Sequence, residues 1–396
     1  MIPKTGISGV IVSKKILKVR LLFVWVSAIL LMNCAEKISQ PESVQFSTTV
    51  HVLDTSFVTR GIFDRIDVPG GEVTLSSVNY GLQYKSKTNP GGIALFQDLI
   101  PDFYNCSVQR IYPEDTVQQY LGVLQEQVLV GSKGAIRMSS PADSFSLILS
   151  QVSRAPFLIS EIYYNGAPPP PPLYFHDQFT EIYNNSSVTV YLDGYAIGDV
   201  DYGYRDDPEF IHCIHLYQFP GSGTDYPVEP GETIIIAQDA ENHTLKNPRS
   251  LDLSSADFEY YNPLSNDIDV ESVPNMIQIH HKYGYDFLYS VMNDAVCLFK
   301  MVPGDTLGYD EFNLILVPKE WVIDGVEYKE DPTQYHLKRL SDDIDAGITG
   351  GMPAYQGKSV ARKIFKIIGN QKVLMDNNNS SIDFEVTDNP TPGWIE

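Results

Sequence analysis

The chain has 396 residues, with 28 Lys and Arg against 50 Asp and Glu, a formal net charge of −22 at pH 7. A surface that negative repels phosphate backbones and anionic headgroups, which argues against nucleic acid as a partner. The 24 Tyr, 18 Phe, 26 Pro and 28 Gly, with short apolar stretches between them, suit many short strands joined by turns.

The chain opens with Lys14, Lys15, Lys18 and Arg20, then an apolar run of 12 residues from Leu21 to Met32, then Cys34. Basic region, short hydrophobic region and cleavage site make a secretory signal peptide over residues 1–33. The run is well short of the ~20 residues a helix needs to span a bilayer. Leu31-Met32-Asn33-Cys34 resembles the lipobox of a bacterial lipoprotein, in which the cysteine thiol is acylated and becomes the new N-terminus. Asn33 departs from the Gly, Ala or Ser usual at that position, so an uncleaved anchor with an incidental cysteine stays open. In both cases the protein leaves the cytoplasm and stays at a membrane. Cleavage would leave 363 residues with a net charge of −27, because the leader holds five basic and no acidic residues. That length suggests two domains. The polar stretch 34–43 reads as a tether. Of the other cysteines, Cys106 and Cys297 lie in apolar runs and read as buried small hydrophobes, and with Cys213 they allow at most one disulfide.

From Val44 to Asp54 the chain alternates, placing Val44, Phe46, Thr48, Val50 and Val52 on one face of a half-buried strand. Further strands are expected at Glu72–Val78, Leu82–Ser86, Ile93–Phe96, Phe103–Ile111 and Phe145–Val152, with a turn at Thr88-Asn89-Pro90-Gly91-Gly92. Thr88-Asn89, Gly92, Ala94, Phe96, Leu99, Pro101 and Tyr104 resemble the pattern of prealbumin-like, carboxypeptidase-regulatory-like sandwiches. The resemblance implies a seven-stranded sandwich over 44–154, with Gly92 at a turn, Ala94 and Phe96 inward, and no catalytic residue.

A second domain is expected over 155–396. Phe157–Tyr163 alternates as a strand, and Pro168–Pro172, unable to donate to a ladder, must form an exposed loop. Strands are expected at Phe179–Tyr183, Val188–Leu192, Thr233–Ala237, Met276–His280, Asp294–Phe299 and Phe312–Val317. No long 3.6-residue period is present. Ile159-Ser160-Glu161-Ile162, Phe179-Thr180-Glu181-Ile182-Tyr183-Asn184, Leu192-Asp193-Gly194 and Pro230-Gly231-Glu232 resemble the lamin-tail type of immunoglobulin-like sandwich. With Phe219 to Gly223, Asp239-Ala240, His243, Asn377 to Ser381 and Asp383-Phe384, the chain from about 44 onward also resembles the DUF4876 type of Bacteroidetes outer-membrane lipoprotein. That family carries no assigned activity. The fold expected is therefore all-β, two tandem β-sandwiches after a lipoprotein signal peptide, the second with long loops.

Several constellations admit two readings. Glu161 and Glu181, each followed by Ile and Tyr, are either a carboxylate pair of the kind used in glycoside hydrolysis or structural acids tying strand edges to backbone. His212, Cys213 and His215, and the pair His280 and His281, invite a metal reading, but neighbours at i+1 or i+3 on a strand diverge. Asp199, Asp201 and Asp206, with Asp193 and Asp207, lie among glycines and are either a solvated acidic loop or weak Ca²⁺ candidates, without the spacing of an EF-hand. Tyr164, Tyr174, Phe175, Tyr202 and Tyr204, near Tyr163 and Tyr217, are either loop aromatics that contact a partner or sugar, or covers for the sandwich end. No nucleophile elbow, zinc motif, P-loop or dinucleotide fingerprint occurs.

These readings lead to a non-enzymatic envelope lipoprotein, lipidated at Cys34, anchored to the outer membrane and exposed on the surface, with no obligatory cofactor. The expected partner is an outer-membrane barrel of the TonB-dependent transporter type. A surface glycan-binding or adhesion module is the alternative, and a hydrolase using Glu161 and Glu181 a third class.

Overall fold

The computed structural model describes residues 45–122, 126–152, 155–169 and 173–395. The expected leader, the tether with Cys34, and residues 170–172 of the proline run lie outside the described residues. The described residues form one compact unit. No helix among the described residues is long and apolar enough to cross a membrane.

The first sheet contains β1 (Phe46–Asp54), β2 (Glu72–Ser77), β3 (Gln83–Lys87), β4 (Ile93–Leu99), β5 (Asp102–Tyr112), β6 (Gln127–Met138) and β7 (Phe145–Val152). Their order is β3-β2-β5-β6-β7-β1-β4, and the end strands β3 and β4 approach one another, so the sheet folds over its own core. The alternation in β1 is realised: Phe46, Thr48, Val50, Val52 and Asp54 are buried, and the residues between them are not. Val50 and Val52 pack with Val73, Leu75, Ala94, Phe96, Tyr104 and Cys106. Gly92 has φ +72°, and a Cβ there would lie 2.7 Å from the Val52 carbonyl oxygen, so the turn needs glycine. Asn89 closes this turn, its Oδ1 accepting from the backbone of Gly91 and Ile93.

Two helices, Phe57–Phe63 and Glu114–Leu121, and the strand β6 are findings beyond the sequence reading. The helices are too short to establish a period. In β6 the alternation is interrupted by a register shift against β5, close to Ala135 at φ +44°.

The remainder is a second sandwich. β8 (Phe157–Tyr163) and β9 (Phe179–Asn184) belong to a six-stranded sheet completed by Thr233–Ala237, Phe258–Glu259, Ser359–Arg362 and Phe384–Thr387. An eight-stranded sheet faces it, centred on Tyr195–Val200, Phe210–Gln218, Asn293–Lys300 and Val322–Lys329. Ile159, Ile182, Ile236 and Val360 from one sheet meet Ile197, Tyr217, Val296, Leu298 and Val326 from the other. Each sheet also carries a core on its outer face. Ala196, Cys213, Cys297 and Phe299 pack with Ile315, Trp321 and Leu340 behind the eight-stranded sheet. Tyr163, Phe179 and Ile235 pack with Ala240, Leu253 and Val273 behind the six-stranded one. Hence β8, β9 and Tyr195–Val200 are buried at every position. The apparent alternation of Phe157–Tyr163 therefore does not mark one wet and one dry face.

The all-β expectation is borne out. Cys106, Cys213 and Cys297 are buried free thiols. Cys213 and Cys297 lie on the two strands flanking Tyr195–Val200. Strands two apart are separated by ~9.6 Å, beyond the ~6.8 Å reach of a disulfide.

Candidate functional site

Glu161 of β8 lies directly opposite Glu181 of β9 in an antiparallel pair, so the topology does bring the two acids together. Both are buried, and all four carboxylate oxygens accept hydrogen bonds. Glu161 accepts from the Ser359 hydroxyl, and from Thr391 through its backbone N–H at 3.2 Å and its hydroxyl at 3.1 Å. Glu181 accepts from the Ser160 hydroxyl at 2.7 Å and from the Gly393 N–H at 2.7 Å. Burial pushes the Glu181 carboxyl up to about 7, and the charge of Glu161 acts in the same direction. The pair pins the C-terminal segment to the sheet at the head of a cleft of about 520 Å³, which Arg362, Lys363 and Trp394 also line. This geometry supports the structural reading, strand acids tied to backbone.

The histidines of Phe210–Gln218 engage separate partners. His212 is held between Asp310 at 2.9 Å and Asp207 at 3.1 Å, and its ring stacks on Tyr204 with centroids 3.9 Å apart. His215 contacts Asp199 through Nδ1 at 3.0 Å and the Tyr283 carbonyl through Nε2 at 3.0 Å. Burial lowers the His215 pKa, but the Asp199 carboxylate outweighs it and the net shift is upward. Among the described residues, no group of three or more His, Cys, Asp or Glu is placed to hold a metal ion.

The Ca²⁺ candidates separate in the same way. Asp199 belongs to a strand, not to an acidic loop: it is buried, and its Oδ1 accepts from the His215 N–H at 2.7 Å. Asp201 accepts from the Tyr202 N–H at 2.7 Å, and Asp206 is exposed.

The aromatic candidates also divide. Tyr164 must be removed from the contact surface, because it is buried and stacked on Tyr328 with centroids 3.5 Å apart. Tyr163 and Tyr217 are core residues too, the apolar bulk of a tyrosine being worth most between two sheets. Tyr174 is half-buried, its hydroxyl 2.7 Å from His243 Nδ1, and half-buried Phe175 stacks on His176. Tyr204 is half-buried against His212. Tyr202 is 52% exposed.

Tyr202 stands at a cleft of about 330 Å³ with Met292, Asn293, Lys329, Asp331 and Arg339. The wall behind it is fixed by buried charge. The Arg339 guanidinium donates to Asp294, to the Val200 carbonyl at 2.6 Å and to the Asn293 carbonyl at 3.2 Å. Glu327 pairs with Lys329 at 3.0 Å and Lys338 at 3.3 Å, and accepts from the Leu340 N–H at 3.0 Å. Burial opposes ionisation of Glu327, but Lys338 and Lys329 hold its pKa below the usual carboxylate range. Arg339 and Glu327 were not candidates in the sequence. Residues 327–340 carry no motif, and their roles arise from partners on distant strands.

The fold and this geometry define an all-β sandwich protein with a largely charged cleft beside one exposed tyrosine, Tyr202. A family described as a protein of unknown function (DUF4876) matches residues 229–391. The chain is similar to the crystal structure of a DUF4876 family protein from Bacteroides thetaiotaomicron VPI-5482, with 25% identity and a TM-score of 0.55. That match covers 86% of this chain and 94% of the other. The family match lies in the second sandwich, and the structural likeness extends over most of the chain. No curated protein matches.

Proposed function

We propose that this protein is a non-enzymatic lipoprotein of the cell envelope, held at the outer membrane by lipid on Cys34 and facing outward. It binds a protein partner, an outer-membrane barrel of the TonB-dependent transporter type. The observation that carries the reading is Tyr202, a half-exposed aromatic over a cleft whose wall is fixed by Arg339 and Asp294. A rigid aromatic beside apolar Met292 and charged Lys329 and Asp331 has the composition of an interface anchor. The absence of catalysis is supported by Glu161 and Glu181, whose four oxygens are engaged by Ser160, Ser359, Thr391 and Gly393. The leader Lys14 to Cys34 supports the location. Anchoring is stable if the cysteine carries two or three acyl chains, one alone being marginal.

The test is purification of the tagged native protein from gently solubilised membranes, with mass spectrometry of what it retains. A barrel protein in stoichiometric amount, lost from a Tyr202→Ala variant, is the expected result. Recovery of the lipoprotein alone overturns the reading.

A further inference from the structure

A second cleft, of about 490 Å³, shares no lining residue with the Tyr202 cleft and is basic, in a chain of net charge −22. One wall is the outer face of β2, β3 and β5, and the other is the chain from Lys363 to Ile382. Its volume is within the ~300–1,000 Å³ typical of small-ligand sites.

Three lysines and one carboxylate line it. Glu72 neutralises Lys87 at 2.8 Å. That leaves Lys85 and Lys363, neither of which forms an ion pair among the described residues although the chain holds 50 carboxylates. Lys363 is half-buried, and its ammonium donates to the Ile382 carbonyl at 2.6 Å. Burial lowers its pKa; Glu385 and Asp383 oppose this, while Lys85 across the cleft adds repulsion. Lys85 and Lys363 line one cleft from opposite walls, and an anion seated between them would relieve their repulsion.

The rest of the lining specifies what carries the anion. Phe365 offers a partly exposed ring, and Gln83, Gln109 and Asn377 offer amides that donate and accept. An aromatic face, amides and two cations match a polyhydroxylated ring bearing a negative group.

We propose that the cleft between β3 and Lys363 binds an anionic oligosaccharide, its sulfate or carboxylate seated between Lys85 and Lys363 and a sugar ring on Phe365. The site is separate from the Tyr202 cleft and stands or falls independently of the barrel partner.

The test is isothermal titration of the full-length, detergent-solubilised protein with a κ-carrageenan tetrasaccharide, tetragalacturonate and neutral neoagarotetraose. Binding of the sulfated probe alone or the uronate alone identifies the anionic group, and the neutral tetrasaccharide should bind at least about tenfold more weakly. Affinity should fall as salt rises. Lys85→Gln, on an exposed strand edge, and Phe365→Ala should each weaken binding about tenfold, while Lys282→Gln, outside the cleft, should leave it unchanged. Lys363→Arg keeps the charge and should retain binding, which separates loss of the site from loss of the fold. Failure of both anionic probes to bind, equal binding of the neutral one, or full affinity in Lys85→Gln overturns the proposal.

Discussion

In β1 and β2 of the first sheet the buried side chains are mainly apolar and recur at every second position, whereas β8 and β9 bury every residue they contain. The first sheet has one apolar core, and the outward side chains of β1 and β2 reach solvent at least in part. Each sheet of the second sandwich is covered on both sides, and the cover includes ionised groups: Glu327 with Lys329 and Lys338, and Arg362 with Asp324. The difference follows from the long connections of the second half, which fold back over sheet faces and bring polar backbone and side chains inside. Burial there demands partners, because an unpaired buried charge costs several kcal/mol.

The largest effects should come from unpairing those charges. Glu327→Ala leaves Lys338, fully buried, without its carboxylate and should cost about 3–5 kcal/mol in urea unfolding. A cost under about 1 kcal/mol would show that water reaches this network and would weaken the contrast between the two halves. In the first sheet the comparable loss should come from a cavity. Leu75→Ala removes a fully buried side chain and should cost about 2–5 kcal/mol by the same measurement. Gly92→Ala places a methyl against the Val52 carbonyl at a positive φ and should destabilise by more than about 1 kcal/mol, read as a lowered melting temperature.

The buried acids of the second sandwich also give it a pH signature. Burial raises the Glu181 carboxyl from its usual 4.5 to about 7, so between those values the native state holds a proton that the unfolded state has released. Stability from this group therefore falls as pH rises through that window. Burial raises Asp239 to about 8, with the same sign from 3.8 upward. Melting temperatures measured from pH 4.5 to 8 should decline less steeply in Glu181→Gln, which stays neutral throughout; an unchanged slope would refute the assignment. Smallest of all, Tyr202→Ala should alter stability by no more than about 0.5 kcal/mol, since half of the ring already faces solvent. A larger loss would make Tyr202 part of the packing rather than a contact residue.

The legibility of the chain tracks this contrast. Val50 and Val52 could be placed inward from the period of two, and Ala94 and Phe96 from the resemblance to prealbumin-like sandwiches, because one face of their strands is wet. Tyr195–Val200 could not be read as a strand: its Gly198 and Asp199 suggest a loop, and only the cores on both sides make it one. Among candidate residues, the pairing of Glu161 with Glu181 was visible as a repeated Glu-Ile-Tyr, but the chain end that engages them was not. Tyr164 and Tyr202 are the same residue type in comparably aromatic surroundings, yet one is stacked under a sheet and the other stands in solvent.

By itself, the sequence determined the all-β class, the first sandwich with its Gly92 turn, and the likeness to the DUF4876 family, because these depend on short-range period, turn residues and motifs. Tertiary structure decided which acids are spent, which aromatics are exposed, and that Lys85 and Lys363 face one another across a cleft. Those outcomes rest on contacts between residues as much as 276 positions apart (Asn105 and Ser381), and local sequence exerts no force over such a separation until the sheets have packed.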